Sequence, residues 1–234
     1  MPAPQKLGSV SQVSLENLQI ALRLAKTRRI KDFYRDSGPL RRELYPKHLS
    51  FFRAGREHCE RAFIAGNRVG KTEGVGGYEV TCHLTGIYPD WWEGRRFRDP
   101  VMAWAAGNTG KTVRDILQMK MVGPVSSLGT GMIPADKIIH TSRKAGIPEA
   151  LELVYVKHVT GGHSTLNFKS YDQGREGFEG TEQHVIWLDE EPPLDIYGEC
   201  LMRTVTVDGL VLLTFTPLMG LTPLVLSFLP GGKV

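Results

Sequence analysis

The residues with the clearest chemistry stand in one short run, Ala65-Gly66-Asn67-Arg68-Val69-Gly70-Lys71-Thr72. Glycines in such a run let backbone N–H groups turn inward around phosphate oxygens, and a helix starting at the same point adds partial positive charge. Lys71 is placed to reach β and γ phosphates, and the Thr72 hydroxyl to ligate Mg²⁺. Together these read as a site for ATP and Mg²⁺. The run departs from GxxxxGK[ST] at its first position, where Ala65 replaces glycine, so its context has to support it. A second run, Gly107-Asn108-Thr109-Gly110-Lys111-Thr112, has similar composition. It reads as a capped strand-to-helix turn, with contact to a nucleic-acid backbone as the functional alternative.

Acids follow at the end of an apolar run, Val185-Ile186-Trp187-Leu188-Asp189-Glu190. A strand buried on both faces delivers carboxylates from its C-terminal end to a neighbouring phosphate loop. Asp189 is the metal-holding candidate and Glu190 the general base for an attacking water. Glu191 competes for the base role, but on a strand it points to the opposite side from Glu190. A second apolar run, Leu212 to Phe215, ends in Thr216 and Pro217. The Thr216 hydroxyl is placed there to sense a γ-phosphate.

The elements that must position these residues alternate. Strands are predicted at 62–65, 101–106, 185–188 and 210–215, with helices at 71–84, 110–122 and 194–203. Thr160-Gly161-Gly162 between runs 151–156 and 164–168 predicts a β-hairpin. Strands alternating with helices give a mostly parallel sheet covered by helices on both faces. The fold class is therefore α/β, a P-loop NTPase with a RecA-like sheet and an added antiparallel hairpin.

A helix is predicted over 14–34, capped by Ser14, with Leu15, Leu18 and Leu22 on one face and Arg23, Lys26, Arg28, Arg29 and Lys31 on the others. The three cysteines are odd in number and widely spaced, which speaks against a disulfide framework or a zinc site and for a reducing compartment. Net charge is +4, which permits nucleic acid as a partner without requiring it. Residues 209–232 carry no charge, but Pro217, Gly220 and Pro223 interrupt them. They read as a buried strand, a loop and an apolar segment, with no membrane role.

The phrases 65–72, Val185-Ile186-Trp187-Leu188-Asp189-Glu190-Glu191-Pro192 and Thr214-Phe215-Thr216-Pro217 together resemble the large terminase subunit of tailed bacteriophages. Gln173 to Gly180 and Tyr45-Pro46-Lys47-His48 extend the resemblance across about 45–223. It implies a motor that uses ATP to thread double-stranded DNA into a procapsid in the host-cell cytoplasm during virus assembly. The implied partners are a portal protein, a small terminase subunit and further copies of the chain. Those copies form a homo-oligomeric ring, pentameric by that resemblance, with a monomer as the isolated form. It also implies that Arg68 acts in catalysis and that Tyr45 and His48 lie where adenine is contacted. Arg175 and Arg203 are candidates to act in a neighbour's site, with a surface ion pair as the alternative for each.

The domain expectation is a helical arm at 1–44, an ATPase domain at 45–230 and the start of a linker at 231–234, without the family's nuclease. A helicase-like ATPase and a non-hydrolysing nucleotide-binding scaffold are the competing functions. The first needs a second RecA-like domain, and intact Lys71, Asp189 and Glu190 speak against the second.

Overall fold

The computed structural model describes residues 29–231. Residues 1–28 of the expected arm, with most of the helix predicted over 14–34, and the linker residues 232–234 lie outside that range. In chain order the main elements are α1 (Pro46–Ala54) and β1 (Glu60–Ile64), then a π-helical stretch (Lys71–Gly77) that runs directly into α2 (Tyr78–Thr85). β2 (Met102–Gly107) comes next. A helix follows through Gly110–Thr112, Val113–Gln118 and Met119–Met121, here α3. Then come β3 (Ile138–Arg143), β4 (Leu151–Lys157), β5 (His163–Ser170), β6 (Val185–Asp189), α4 (Leu194–Thr204), β7 (Leu210–Phe215) and α5 (Pro223–Ser227).

The seven strands form one sheet in the order β1-β7-β6-β2-β5-β4-β3. The pairs from β1 through β5 are parallel, and β4 and β3 add to the far edge antiparallel. The hairpin β4–β5 closes with Lys157 opposite His163, as its glycine-rich turn requires. β3 is absent from the sequence reading. Its irregular mix of half-buried and exposed residues gives neither an apolar run nor an alternation, and pairing with β4 makes it a strand.

β6 and β7 are buried along their whole length. Burial on both faces is why these strands read as continuous apolar runs rather than alternating ones. Their side chains still divide by parity. Trp187 and Leu212 join Val75, Tyr78 and Val80 on one face, while Ile186, Leu188, Val211 and Leu213 join Ile196, Tyr197 and Cys200 on the other. The first layer contains the helix that follows the phosphate loop, and the second contains α4. Gly76 has to be glycine at this join, because a Cβ there would lie 2.1 Å from Cε2 of Trp187. Within the uncharged stretch, residues 210–227 form β7, an exposed loop and α5, and none of the described helices is long and apolar enough to cross a membrane.

A buried ion pair locks the strand that leads into the loop to the helix that leaves it. The Arg61 guanidinium on β1 donates to Glu79 on α2 at 2.7 and 3.2 Å and to the Phe51 carbonyl at 2.7 Å. Glu79 is wholly buried and Arg61 nearly so. Arg61 and His83, which approaches Glu79 Oε1 at 3.3 Å, hold the Glu79 carboxyl below the usual range against the opposing effect of burial. Removing one partner leaves the other charge buried and unpaired. Glu79→Ala is therefore expected to destabilise the fold by about 3–5 kcal/mol. Replacing both partners with apolar residues of similar volume should cost less. Urea denaturation of the single and double variants checks this, and equal losses would contradict the pairing.

Candidate nucleotide site

The C-terminal ends of β1, β7 and β6 meet on one edge of the sheet, and the sequence-predicted residues collect there. β1 ends at Ile64, and the loop 65–70 turns through left-handed backbone at Arg68 (φ 63°) and Gly70 (φ 83°) before the helix begins at Lys71. Lys71 is buried, and its ammonium donates to the Gly66 carbonyl at 2.7 Å and to Thr216 Oγ1 at 2.8 Å. Thr216 Oγ1 is also 3.0 Å from the Ala65 carbonyl and from Asn67 Oδ1. The hydroxyl after β7 thus touches both the lysine and the wall of the loop.

Asp189 sits between two hydroxyls. Thr72 Oγ1 donates to its Oδ2 at 3.3 Å, and Thr214 Oγ1 donates to its Oδ1 at 2.7 Å. The Thr214 hydroxyl accepts in turn from the Trp187 indole N–H at 2.7 Å. Thr72 and Asp189 offer only oxygen ligands, a set suited to a hard cation such as Mg²⁺. Burial pushes the Asp189 carboxyl up to about 7, although the Thr214 bond acts the other way.

Glu190 follows in left-handed backbone at φ 66°, a conformation that costs a non-glycine residue free energy and gathers at functional sites. Its amide bonds the Thr214 carbonyl, and its carboxylate pairs with no described residue. Glu191 is turned aside and accepts from the Thr222 hydroxyl at the start of α5. Tyr171 pins this corner by donating to the Asp189 and Glu190 carbonyls, each at 3.1 Å. Sequence reasoning named Trp187 and Thr214 only as members of their strands and passed over Tyr171. A tryptophan inside a buried strand was the available signal, since its N–H needs a partner.

The structure decides three further expectations. His48 is buried beneath the loop with both ring nitrogens engaged, Nε2 to the Val69 carbonyl at 3.0 Å and Nδ1 to the Tyr34 hydroxyl at 2.7 Å. Its side chain supports the loop and is not turned outward toward a base, while Tyr45 packs on it at the half-exposed rim. Arg175 and Arg203 both reach Glu199 within their own chain, at 3.1 and 2.9 Å, which is the ion-pair alternative for each. The second glycine run is a capped turn. Thr109 and Thr112 cap one another, and the Gly110 amide donates to Asp172. Arg68 is exposed and pairs with no carboxylate among the described residues.

In this sheet the strand before the loop and the strand carrying the acids are separated by β7, whose hydroxyls reach both. Residues 62–232 match the family described as terminase large subunit, T4likevirus-type, N-terminal. This chain belongs to that family. It is 39% identical over 205 residues to the large terminase subunit of Salmonella phage P22, a match covering 79% of this chain and 41% of that protein. The chain thus spans less than half the length of that relative. Among solved structures it is similar to the large terminase ATPase domain of Thermus phage P74-26, with TM-score 0.49, 16% identity and coverage of 77% of this chain and 70% of that one. The large terminase of a second, thermophilic bacteriophage, in complex with ADP, gives TM-score 0.46 and 15% identity over 82% of this chain and 38% of that one. The family assignment rests on the first two matches.

A carboxyl raised by burial holds a proton in the folded state over a pH range where the unfolded chain has lost it. Its contribution to stability is present at low pH and is lost as pH rises through the folded value of about 7. At pH 8 the nucleotide-free, metal-free terminase domain therefore carries an ionised, buried Asp189. Asp189→Asn is expected to raise its melting temperature at pH 8 by more than at pH 5. An equal shift at both values, read by scanning calorimetry, would contradict the burial of this charge.

Proposed function

We propose that this terminase domain is a Mg²⁺-dependent ATPase that drives double-stranded DNA through a portal into a procapsid. The observation that carries the reading is the convergence of Lys71, Thr72, Asp189, Glu190 and Thr216 on one sheet edge from three separate strands. The loop amides and Lys71 would bind the phosphates of ATP, and Thr72 and Asp189 would hold the metal. Mg²⁺ would supply neutralisation of the phosphate charge. Glu190, raised on its strained turn, orients and deprotonates the attacking water. Thr216 donates toward the loop and sits against Lys71, so loss of the γ-phosphate alters its contacts and shifts the loop 217–222. That loop presents Leu218, Met219 and Leu221, each at least 70% exposed, as the surface to be moved.

The partners follow from the family reading: double-stranded DNA, the portal, a small terminase subunit and neighbouring copies in a ring, in the host-cell cytoplasm. Arg68, free of ion pairs in the described structure and next to the phosphates, is the arginine best placed to meet charge on the γ-phosphoryl group. Arg175 would first have to leave Glu199. The domain is expected to leave supercoiled plasmid uncut in the presence of Mn²⁺, and nicking by the purified protein would contradict this.

Lys71→Ala should abolish ATP turnover, and Lys111→Ala should leave it intact. Glu190→Gln should still bind ATP but turn it over roughly 10²–10⁴-fold more slowly, the usual loss of a general base. Phosphate release with and without double-stranded DNA measures all three. Near-normal turnover in Glu190→Gln would move the base elsewhere, and a lethal Lys111→Ala would move the nucleotide to the other loop.

A further inference from the structure

His48 and Tyr34 are linked to the phosphate loop from behind, and neither belongs to the loop. The imidazole of His48 on α1 lies against the turn so closely that a Cβ on Gly70 would stand 3.2 Å from its Cε1. Its Nε2 is 3.0 Å from the Val69 carbonyl, and its Nδ1 is 2.7 Å from the Tyr34 hydroxyl. That hydroxyl is also 2.6 Å from the carbonyl of Gly74, in the π-helical stretch that opens the following helix. Tyr34 is 2% exposed, is held in left-handed backbone at φ 57° and packs edge-on against Tyr78, with centroids 4.8 Å apart. A large aromatic residue in that conformation is strained, so surrounding structure must hold it there.

We propose that Tyr34 and His48 are positioning residues for nucleotide binding, which orient the Val69–Gly70 peptide so that its N–H faces the phosphates. The proposal rests on reading 65–72 as the nucleotide loop. The peptide is trans and planar, so its carbonyl and its N–H point in opposite directions. Holding the Val69 carbonyl down on His48 turns the Gly70 N–H away from the imidazole, toward the exposed side of the loop. Inward-turned N–H groups of this kind are what bind phosphate.

The proton placement follows from the acceptors present. A carbonyl cannot donate, so Nε2 must carry the proton that meets Val69. The Tyr34 hydroxyl has one proton and donates it to the Gly74 carbonyl, so in the neutral ring Nδ1 can only share that proton. In the charged ring Nδ1 donates to that oxygen, which donates onward to Gly74. The remaining tautomer sets the Nε2 lone pair against the Val69 carbonyl and is repulsive. Tyr34 thus ties the ring that meets Val69 to the first turn of the following helix. Burial holds the imidazole below its usual value, against the effect of the Val69 bond, which favours the neutral form.

The test compares variants that differ in which half of the imidazole they imitate. His48→Gln keeps a donor near the Nε2 position, and His48→Asn keeps one only near Nδ1. MgATP affinity and steady-state turnover are measured on the whole chain, well below each melting temperature. Losing one hydrogen bond that shapes the loop is expected to weaken MgATP about three- to tenfold in Tyr34→Phe and His48→Asn, while His48→Gln stays within about twofold. KM should rise in step, with kcat little changed. Equal losses in His48→Gln and His48→Asn, or unchanged affinity in Tyr34→Phe, would overturn the proposal. Should the histidine variants not fold, Tyr34→Phe removes a single oxygen and decides alone. Lys71→Ala separates the two levels: if it binds MgATP normally, the nucleotide loop itself is misassigned, whatever the His48 series shows.

Discussion

The carboxylate of Asp189 is gripped from two sides by hydroxyls, and most of the architecture can be understood as making that grip possible. Thr72 approaches from the helix after β1, Thr214 from β7, and Trp187 steadies Thr214 from within β6. Three segments far apart in sequence must therefore end at one height. A parallel sheet achieves this because every strand presents its C-terminal end to the same edge. Inserting β7 between β1 and β6 places a hydroxyl-bearing strand where it can touch the loop and the acid together.

The same edge concentrates cost. Asp189 is charged only against its burial, and Arg68 and Glu190 both occupy left-handed backbone. Such features persist only where the surroundings over-determine them. Here the surroundings are the Tyr171 bonds to the Asp189 and Glu190 carbonyls, the Arg61–Glu79 pair at the root of the loop and the His48 contact beneath it. Stability elsewhere in the core offsets local strain at the residues that face the phosphates.

The segment before α1 has a part in this that its composition does not announce. Arg29 pairs with Glu73 beside Lys120, and Tyr34 reaches Gly74. Consecutive residues of the loop's helix are thus held by a strap that precedes the nucleotide motif in the chain. The strap is joined to the helix, and the loop 217–222 to Thr216.

Much of the site was legible in the sequence because its parts are local. A glycine-rich turn with lysine and threonine, and an apolar strand ending in two acids, are short patterns whose chemistry follows from residue type and spacing. The buried strands β6 and β7 were equally plain, since strands covered on both faces are apolar throughout. What sequence left open was every contact between segments. The composition of 107–112 is close to that of 66–72, and the capping bonds of Thr109 and Thr112 bear out its reading as a turn. His48 read as a residue facing a base, and packing turned it under the loop. Arg175 and Arg203 read as candidates for a neighbour's site or for a surface ion pair, and folding brought both to Glu199. β3 carried no signal because its pairing energy comes from β4, not from its own pattern. Residue type thus determined which chemistry was available, and tertiary structure alone decided which side chains meet, because hydrogen bonds and ion pairs depend on distances that sequence separation does not encode.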